Sequence, residues 1–352
     1  MAKIDALFYK LIEVAGSDLH LAQGRRPKVR VHGHLQDIVG SDIVPEDSIL
    51  QMLEEIVSPE RWRKYLDAGD LDFAYNLGTR ARFRANYFRQ AHGYGAVFRI
   101  IPSEIVPLEK LNMPEVMKSF GELRSGLVLI TGPTGSGKST TLAAVIDHIN
   151  RTTRKKIVTI EEPVEFVHQN QKCLIAHREV GLDTASFASG LRGAIKSDAN
   201  IILVGEMRDP ETILLALTAA QMGILVFGTL HTNSAAKTID RIIDVFPANK
   251  KNQIRTGLSN TLQGVVSQQL LRGSDGTRRW VAYEILLKTP GLSPIIMEGD
   301  ASKLISEIQL NRGKGMVLMD ECLSDLVWAK RVKPEDAYMK ALDKTAFLAK
   351  IE

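Results

Sequence analysis

Residues 129–142, "LITGPTGSGKSTTL", constrain this chain more than any other stretch. An apolar run enters a glycine-rich turn, and a helical pattern leaves it. From Gly132 to Ser139 the turn satisfies G-x-x-x-x-G-K-[ST]. That spacing in that context predicts a strand, a phosphate-binding loop and a helix in succession. The glycines let backbone N–H groups curl around an anion, and the helix N-terminus adds partial positive charge. Gly132, Pro133, Thr134, Gly135, Ser136, Gly137, Lys138, Ser139 and Thr140 are therefore the predicted nucleotide-binding residues. Lys138 is expected to reach the β- and γ-phosphates of ATP, and the Ser139 hydroxyl to hold Mg2+.

Around this loop the pattern alternates between strand and helix. "GLVLIT", "KIVTIEEP", "NIILVGE" and "ILVFGTLHT" are short, nearly continuous apolar runs. Between them lie helical stretches such as "DPETILLALTAAQMG" and "STTLAAVIDHIN", the latter with Leu142, Val145, Ile146 and Ile149 on one face. Strands buried on both faces and joined by helices predict a parallel sheet of α/β type. The last sixty or so residues read as mainly helical.

The first hundred residues follow a different rule and predict a small α+β domain. Ile4, Leu7, Phe8, Leu11 and Ile12 fall on one helical face, and "SDLHL", "KVRVHG", "LDFAYNL" and "RARFRANYF" alternate as strands do. Gly78 marks a turn between the last two. "IPSEIVPLEKLNMP" carries three prolines and no period, which predicts a linker. The expected division is a first domain over 1–100, a linker over 101–118 and a second domain over 119–352.

Composition narrows the partners. At 352 residues and 44% hydrophobic content, the chain can bury a core in each of two domains. No apolar run is long enough for a membrane span, and "MAKIDALFYKL" reads as neither a signal nor a transit peptide. The expectation is a cytoplasmic protein without direct membrane insertion. Cys173 and Cys322 lie too far apart to suggest a zinc site or a disulfide framework. The net charge of +4 is scattered, so composition offers little for nucleic acid. None of the eight histidines has a metal-ligand spacing such as H-E-x-x-H.

Four strand-end side chains and three arginines are candidates for chemistry. Glu206 follows the buried run "IILVG"; ligands of open α/β sheets sit at the carboxyl ends of strands. Position alone leaves Glu206 as either the group that polarises an attacking water or a solvated strand-end carboxylate. Glu161 and Glu162 end "TIEEP": one is a candidate for Mg2+ or water, the other for capping the next turn. His231 ends "FGTLH", either as a hydrogen-bonding sensor of the γ-phosphate or as a structural histidine. In "RARFRANYF", Arg82 and Arg84 share one face of a strand while Phe83, Ala85 and Tyr87 take the other. With Arg99 from "VFRII", they form either an exposed phosphate-sensing row or a plain solvated face.

Taken together, "SDLHL", "RFRANYF", "GPTGSGKST", "TIEEPVEF", "ILVGEMRD" and "GTLHTNSAAKTIDRIIDVFP" resemble the secretion-ATPase superfamily. Within it the chain is most similar to the PilT-like type IV pilus retraction ATPases, over nearly its whole length. The resemblance implies a PAS-like N-terminal domain and a RecA-like P-loop domain with a helical C-terminal region. It implies a homohexameric ring whose ATP turnover displaces an inner-membrane pilus platform protein, beside a second pilus motor in some cells. Such a motor is cytoplasmic, peripheral at the inner membrane, and binds no nucleic acid. By position, Lys138 and Ser139 belong to the Walker A loop, and Glu206 is the catalytic Walker B glutamate. Glu161 and Glu162 form the acidic box and His231 the His box, while Arg82, Arg84 and Arg99 supply the arginine contacts. Extension and type II secretion ATPases of the superfamily usually carry a longer N-terminal region and a four-cysteine zinc insertion; neither is expected here.

The departures from the family pattern are specific. Glu162 stands where an Asp is usual. In "LRGAIKSDAN", Lys196 replaces the second arginine, and Ala199 and Asn200 replace Pro-Asp. A lysine cannot reproduce a bidentate guanidinium contact. In "GLSPIIMEG", Ser293 and Met297 replace two arginines of the retraction motif, although Glu298 remains. These changes keep two alternatives in view, a divergent accessory pilus motor and a weakly hydrolysing interaction subunit; the mild basicity and "RARFRANYF" keep a third, a DNA-stimulated RecA-like ATPase.

Overall fold

The computed structural model describes residues 2–31, 33–78, 80–101, 104–276 and 278–351. Pro102 and Ser103 of the expected linker, His32 of "KVRVHG" and Met1 of "MAKIDALFYKL" lie outside the described residues. The chain divides into two compact units, Met1–Glu104 with Glu162–Val167, and Ile105–Glu161 with His168–Glu352.

The first unit contains α1 (Asp5–Glu13), β1 (Asp18–Ala22), β2 (Lys28–Val31), β3 (His34–Asp37), α2 (Glu46–Glu54) and α3 (Pro59–Ala68). It continues with β4 (Asp70–Leu77), β5 (Ala81–Gln90) and β6 (Gly93–Ile101). The six strands form one sheet in the order β3-β2-β1-β6-β5-β4, antiparallel throughout. Gly78, with φ of 54°, turns the chain between β4 and β5. One sheet face carries an aromatic core: Phe8 stacks on Phe83 at 4.2 Å, and Phe98 meets Phe8 edge-on. The buried stripe of α1 is narrower than the sequence suggests. Ile4, Phe8 and Leu11 are fully buried, whereas Ile12, in the last turn, is exposed and lies outside that core.

The second unit begins with the short α4 (Val116–Ser119), then β7 (Gly126–Thr131), α5 (Lys138–Thr152), β8 (Lys156–Glu161), β9 (Leu174–Glu179), α6 (Phe187–Ile195) and β10 (Ile201–Val204). Next come α7 (Pro210–Gln221), β11 (Leu225–Leu230), α8 (Ala235–Asp244), α9 (Ala248–Thr261), β12 (Leu262–Arg272) and β13 (Arg279–Leu287). The expected helical ending is α10 (Leu292–Glu298), α11 (Ala301–Leu310), α12 (Met319–Trp328), α13 (Pro334–Lys340) and α14 (Lys344–Ile351).

Its seven-stranded sheet runs β13-β12-β7-β11-β10-β8-β9. Alternate residues of β7 feed two cores. Leu127 and Leu129 pack with Ile213, Leu217 and Leu258 from α7 and α9, and Val128 and Ile130 pack with Leu142, Val145 and Ile146 from α5. The sheet is not wholly parallel, as the apolar runs had suggested, because β13 is antiparallel to β12. The physical reason is the connection: six residues join the two strands, enough for a hairpin and too few for a parallel crossover. Helix starts are chemically specified, with Asp209 accepting from the Thr212 N–H at 2.8 Å ahead of Pro210 in α7. Cys173 and Cys322 are both buried free thiols. Among the described residues, no helix is long and apolar enough to cross a membrane.

Candidate functional site

The loop after β7 has the backbone its sequence demands. Gly132, Gly135 and Gly137 adopt φ of 145°, 77° and 89°, which side chains rarely tolerate. A Cβ on Gly132 would strike the Gln268 carbonyl oxygen, so the loop's entry is packed against β12. Gln268 also donates from Nε2 to the Ser136 carbonyl at 2.8 Å, pinning the loop from a buried strand. Lys138 opens α5, and its ammonium donates to the carbonyls of Gly132 at 2.9 Å and Pro133 at 3.1 Å. The charge is thus held over the loop. Pro133, Thr134 and Gly135 are exposed, while Ser139 and Thr140 are half-buried in the first turn of α5.

Beside the loop lies a cavity of about 310 Å³, lined by Asn112, Met113, Gly137, Thr140, Leu270 and Trp280 among others. The guanidinium groups of Arg278 and Arg331 both approach the Trp280 ring, at 4.3 and 4.5 Å from its centroid. Sequence reasoning named none of the β12 and β13 residues here. A strand that joins the sheet beside the loop leaves no local mark on its own sequence.

The strand order brings the remaining candidates together. β7, β11, β10 and β8 are neighbours in that order, so their carboxyl ends present the loop, His231, Glu206 and Glu161 along one edge. His231 Nε2 lies 3.1 Å from Glu206 Oε1. Arg208, exposed two residues on, donates from Nη2 to Glu206 Oε2 at 2.5 Å. Burial pushes the Glu206 carboxyl up, but the Arg208 and His231 contacts outweigh it and hold the group below the usual carboxylate range. Glu206 is therefore an ionised, oriented carboxylate at neutral pH. Arg208 was not anticipated, although "GEMRD" places a guanidinium within easy reach of the strand-end glutamate.

The loop that carries His231 is anchored too. Thr238 donates to the Ser234 carbonyl at 2.7 Å and lies 2.7 Å from the Thr232 hydroxyl. Glu161 is half-buried at the end of β8, and Glu162 is exposed at the start of the segment grouped with the first unit.

The three arginines belong to the first unit. Arg84 sits directly opposite Arg99 in the β5–β6 register, and Arg99 directly opposite Asp18 in β1. Arg99 Nε donates to Asp18 Oδ1 at 2.8 Å, while Arg30 approaches the same carboxylate at 3.7 Å. Burial raises the Asp18 carboxyl, yet the Ser17 hydroxyl and Arg99 outweigh it and keep it low. Arg84 and Arg99 are exposed, Arg84 lying 4.0 Å from Glu165. Arg82 departs from the expected exposed row: it is half-buried, opposite Asn76 and Ile101.

Two of the positions that depart from the family pattern, Asn200 and Ser293, make structural hydrogen bonds. Lys196 is exposed at the end of α6. Asn200 exchanges backbone and side-chain hydrogen bonds with the Lys156 backbone and accepts from the Leu225 N–H, so it seats β10 between its neighbours. In α10, Ser293 donates to the Ser259 carbonyl at 2.8 Å, and Met297 is exposed. Among the described residues, no group of three or more His, Cys, Asp or Glu could hold a metal ion.

The family model described as "Type II/IV secretion system protein" matches residues 1–309. The type IV pilus retractation ATPase PilT of Pseudomonas aeruginosa is 47% identical over 325 residues, spanning 92% of this chain and 94% of the relative. A twitching motility protein of Neisseria gonorrhoeae is 46% identical over 315 residues, spanning 90% and 84%. The crystal structure of the pilus retraction motor PilT with bound ADP superposes with a TM-score of 0.90 at 39% identity, covering 98% of each chain. The fold is accordingly a PAS-like α+β domain and a RecA-like P-loop domain with a helical C-terminal region. Matched over most of its length, the chain belongs to the Type II/IV secretion system protein family.

Proposed function

We propose that this chain is an ATP-hydrolysing motor that drives type IV pilus retraction, and hence twitching motility. The observation that carries the reading is the shared edge of four neighbouring strands, where the phosphate loop, His231, Glu206 and Glu161 stand in sequence. On this reading, loop N–H groups and Lys138 bind the phosphates, with Gly132, Pro133, Thr134, Gly135, Ser136, Gly137, Ser139 and Thr140 forming the cradle. The cavity beside Thr140 and Trp280 takes the base and ribose. Glu206, ionised and oriented by Arg208 and His231, positions the attacking water.

The Ser139 hydroxyl and the strand-end carboxylates are hard oxygen donors, which fits Mg2+ shared with nucleotide phosphates rather than held in a protein cage. When bound, the cation neutralises charge on the phosphates. Arg82, Arg84 and Arg99 supply positive charge from the first domain as negative charge develops on the transferring group. Glu161 and Glu162 orient water around the cation. The proposed boundaries are 1–100, a linker over 101–118 and 119–352. The working form is a homohexamer, cytoplasmic and peripheral at the inner membrane, acting on a pilus platform protein.

The deciding experiment pairs steady-state ATPase measurement with pilus retraction in a strain whose sole motor is this chain. Active turnover with retracting pili is expected, and a deletion strain should be hyperpiliated. Loss of surface pili on deletion would sink the retraction reading. The loss of both motif arginines at Ser293 and Met297 favours one second reading, an accessory pilus motor. In that case the same strain hydrolyses ATP but retracts only when a partner motor is restored.

A further inference from the structure

Glu284 in β13 is 4% exposed and lies outside the site described above. Its two carboxylate oxygens serve two different helices. Oε1 accepts from the Ala235 N–H at 2.7 Å, and Oε2 accepts from the Met319 N–H at 3.3 Å. Ala235 and Met319 are the first residues of α8 and α12. First-turn N–H groups have no partner within their own helix, and each helix start carries partial positive charge. One buried carboxyl group thus satisfies both ends. Burial, with Asp320 nearby, holds this carboxyl above the usual carboxylate range despite the two donors.

The two helices lead to different parts of the second unit. α8 starts four residues after His231, and Thr238 in its first turns holds the intervening Thr232 and Ser234. These bonds tie the segment that follows His231 to the start of α8. α12 belongs to the C-terminal helical cluster, where Met319 and Leu323 pack with Phe347. Between α8 and α12 the packing is interrupted by a cavity of about 510 Å³, lined by Ala236, Lys237, Leu318 and Met319 among others. Where side chains leave such a gap, a hydrogen-bonded bridge can transmit a small shift that loose packing would absorb.

We propose that Glu284 is a positioning residue that couples the nucleotide state at the Glu206–His231 pair to the C-terminal helices, through the starts of α8 and α12. The proposal rests on reading that pair as the γ-phosphate end of the site.

The test is hydrogen exchange on the full-length protein with Mg2+ and either ADP or a non-hydrolysable ATP analogue, read over 232–238 and 317–323. In the wild type, both segments should change protection when one nucleotide replaces the other. Glu284→Gln keeps the shape and one acceptor but turns an NH2 toward a backbone N–H. It should keep the response at 232–238 and lose it at 317–323. Its ATP affinity should stay within about twofold of wild type while turnover falls about tenfold. Ala235→Pro provides a second route should the Gln variant fold poorly. It deletes the N–H at a first helical position that accepts proline, and Ser234 before it is already extended at φ −153° and ψ 160°. The same uncoupling is expected. A wild-type response at 232–238 without one at 317–323, or an unchanged response at 317–323 in both variants, would overturn the proposal. Undiminished turnover in Glu206→Gln would instead refute the underlying site reading, and is measured separately.

Discussion

In β7, β10 and β11 every residue is buried, whereas in β5 buried and open positions alternate from Ala81 to Tyr87. Helices cover the mainly parallel sheet on both faces, so its strand interiors have no room for chemistry. Its proposed site residues stand at the strand ends, on loops a single strand can aim. The antiparallel sheet of the first unit gathers its aromatic core on one face. That leaves a polar face on which Arg84, Arg99 and Asp18 line up across three strands by register. On the proposed reading, one sheet thus concentrates function at an edge, and the other spreads it along a row.

This contrast can be broken or sharpened by substitution. The largest effect is expected at the edge: Glu206→Gln should lower turnover by about 10²–10⁴-fold with ATP affinity nearly unchanged. Steady-state kinetics beside equilibrium nucleotide binding separates the two, and a matching fall in affinity would count against the role. Within a covered strand the loss should appear as stability. Leu129→Ala, fully buried, should cost about 2–5 kcal/mol, readable in urea unfolding of the full chain.

The buried histidine beside β9 should make stability depend on pH. Burial, and then His177, hold His168 down to about 4 from an ordinary 6.5. Below pH 6.5 the unfolded chain takes up a proton that the folded chain refuses until about pH 4. Stability should therefore fall across that window, by on the order of 3 kcal/mol in all, and level off below it. His168→Gln should flatten the slope between pH 7 and pH 5; a slope that survives the substitution assigns it to other groups.

On the row, Arg84→Ala should reduce turnover about tenfold and ATP affinity less than threefold, with stability nearly unchanged. A drop in the unfolding midpoint as large as that of Leu129→Ala would show the polar face to be structural after all. The smallest effect is expected at the sheet margin. The exposed Lys28–Asp37 pair joins β2 to β3, and Lys28→Ala should change stability by less than about 1 kcal/mol.

Much of the fold was legible because it is local. The phosphate loop needs a few consecutive backbone angles that three glycines supply, so its shape was readable from Gly132 to Ser139. Strand alternation in "RARFRANYF" separated Phe83 from Arg84 correctly, since the pleat enforces it. The same rule could not place Arg82, whose half-burial depends on the neighbours that β4 and β6 happen to set beside it. Nor could periodicity trim Ile12 from the buried stripe of α1, because a pattern does not say where the core beneath a helix ends.

The sequence by itself determined a phosphate loop between a strand and a helix, a sheet of doubly buried strands, and a first domain of alternating strands. It also set the identity of the strand-end residues. Only the tertiary structure decided which strand ends became neighbours, because uniformly apolar strands carry no label for their order in a sheet. That order paired Glu206 with His231 across 25 positions and brought Gln268 of β12 against the loop. It also aimed Glu284 of β13 at the starts of two helices. In each case a side chain's partner is set by packing between distant segments, where burial requires every polar group to find one.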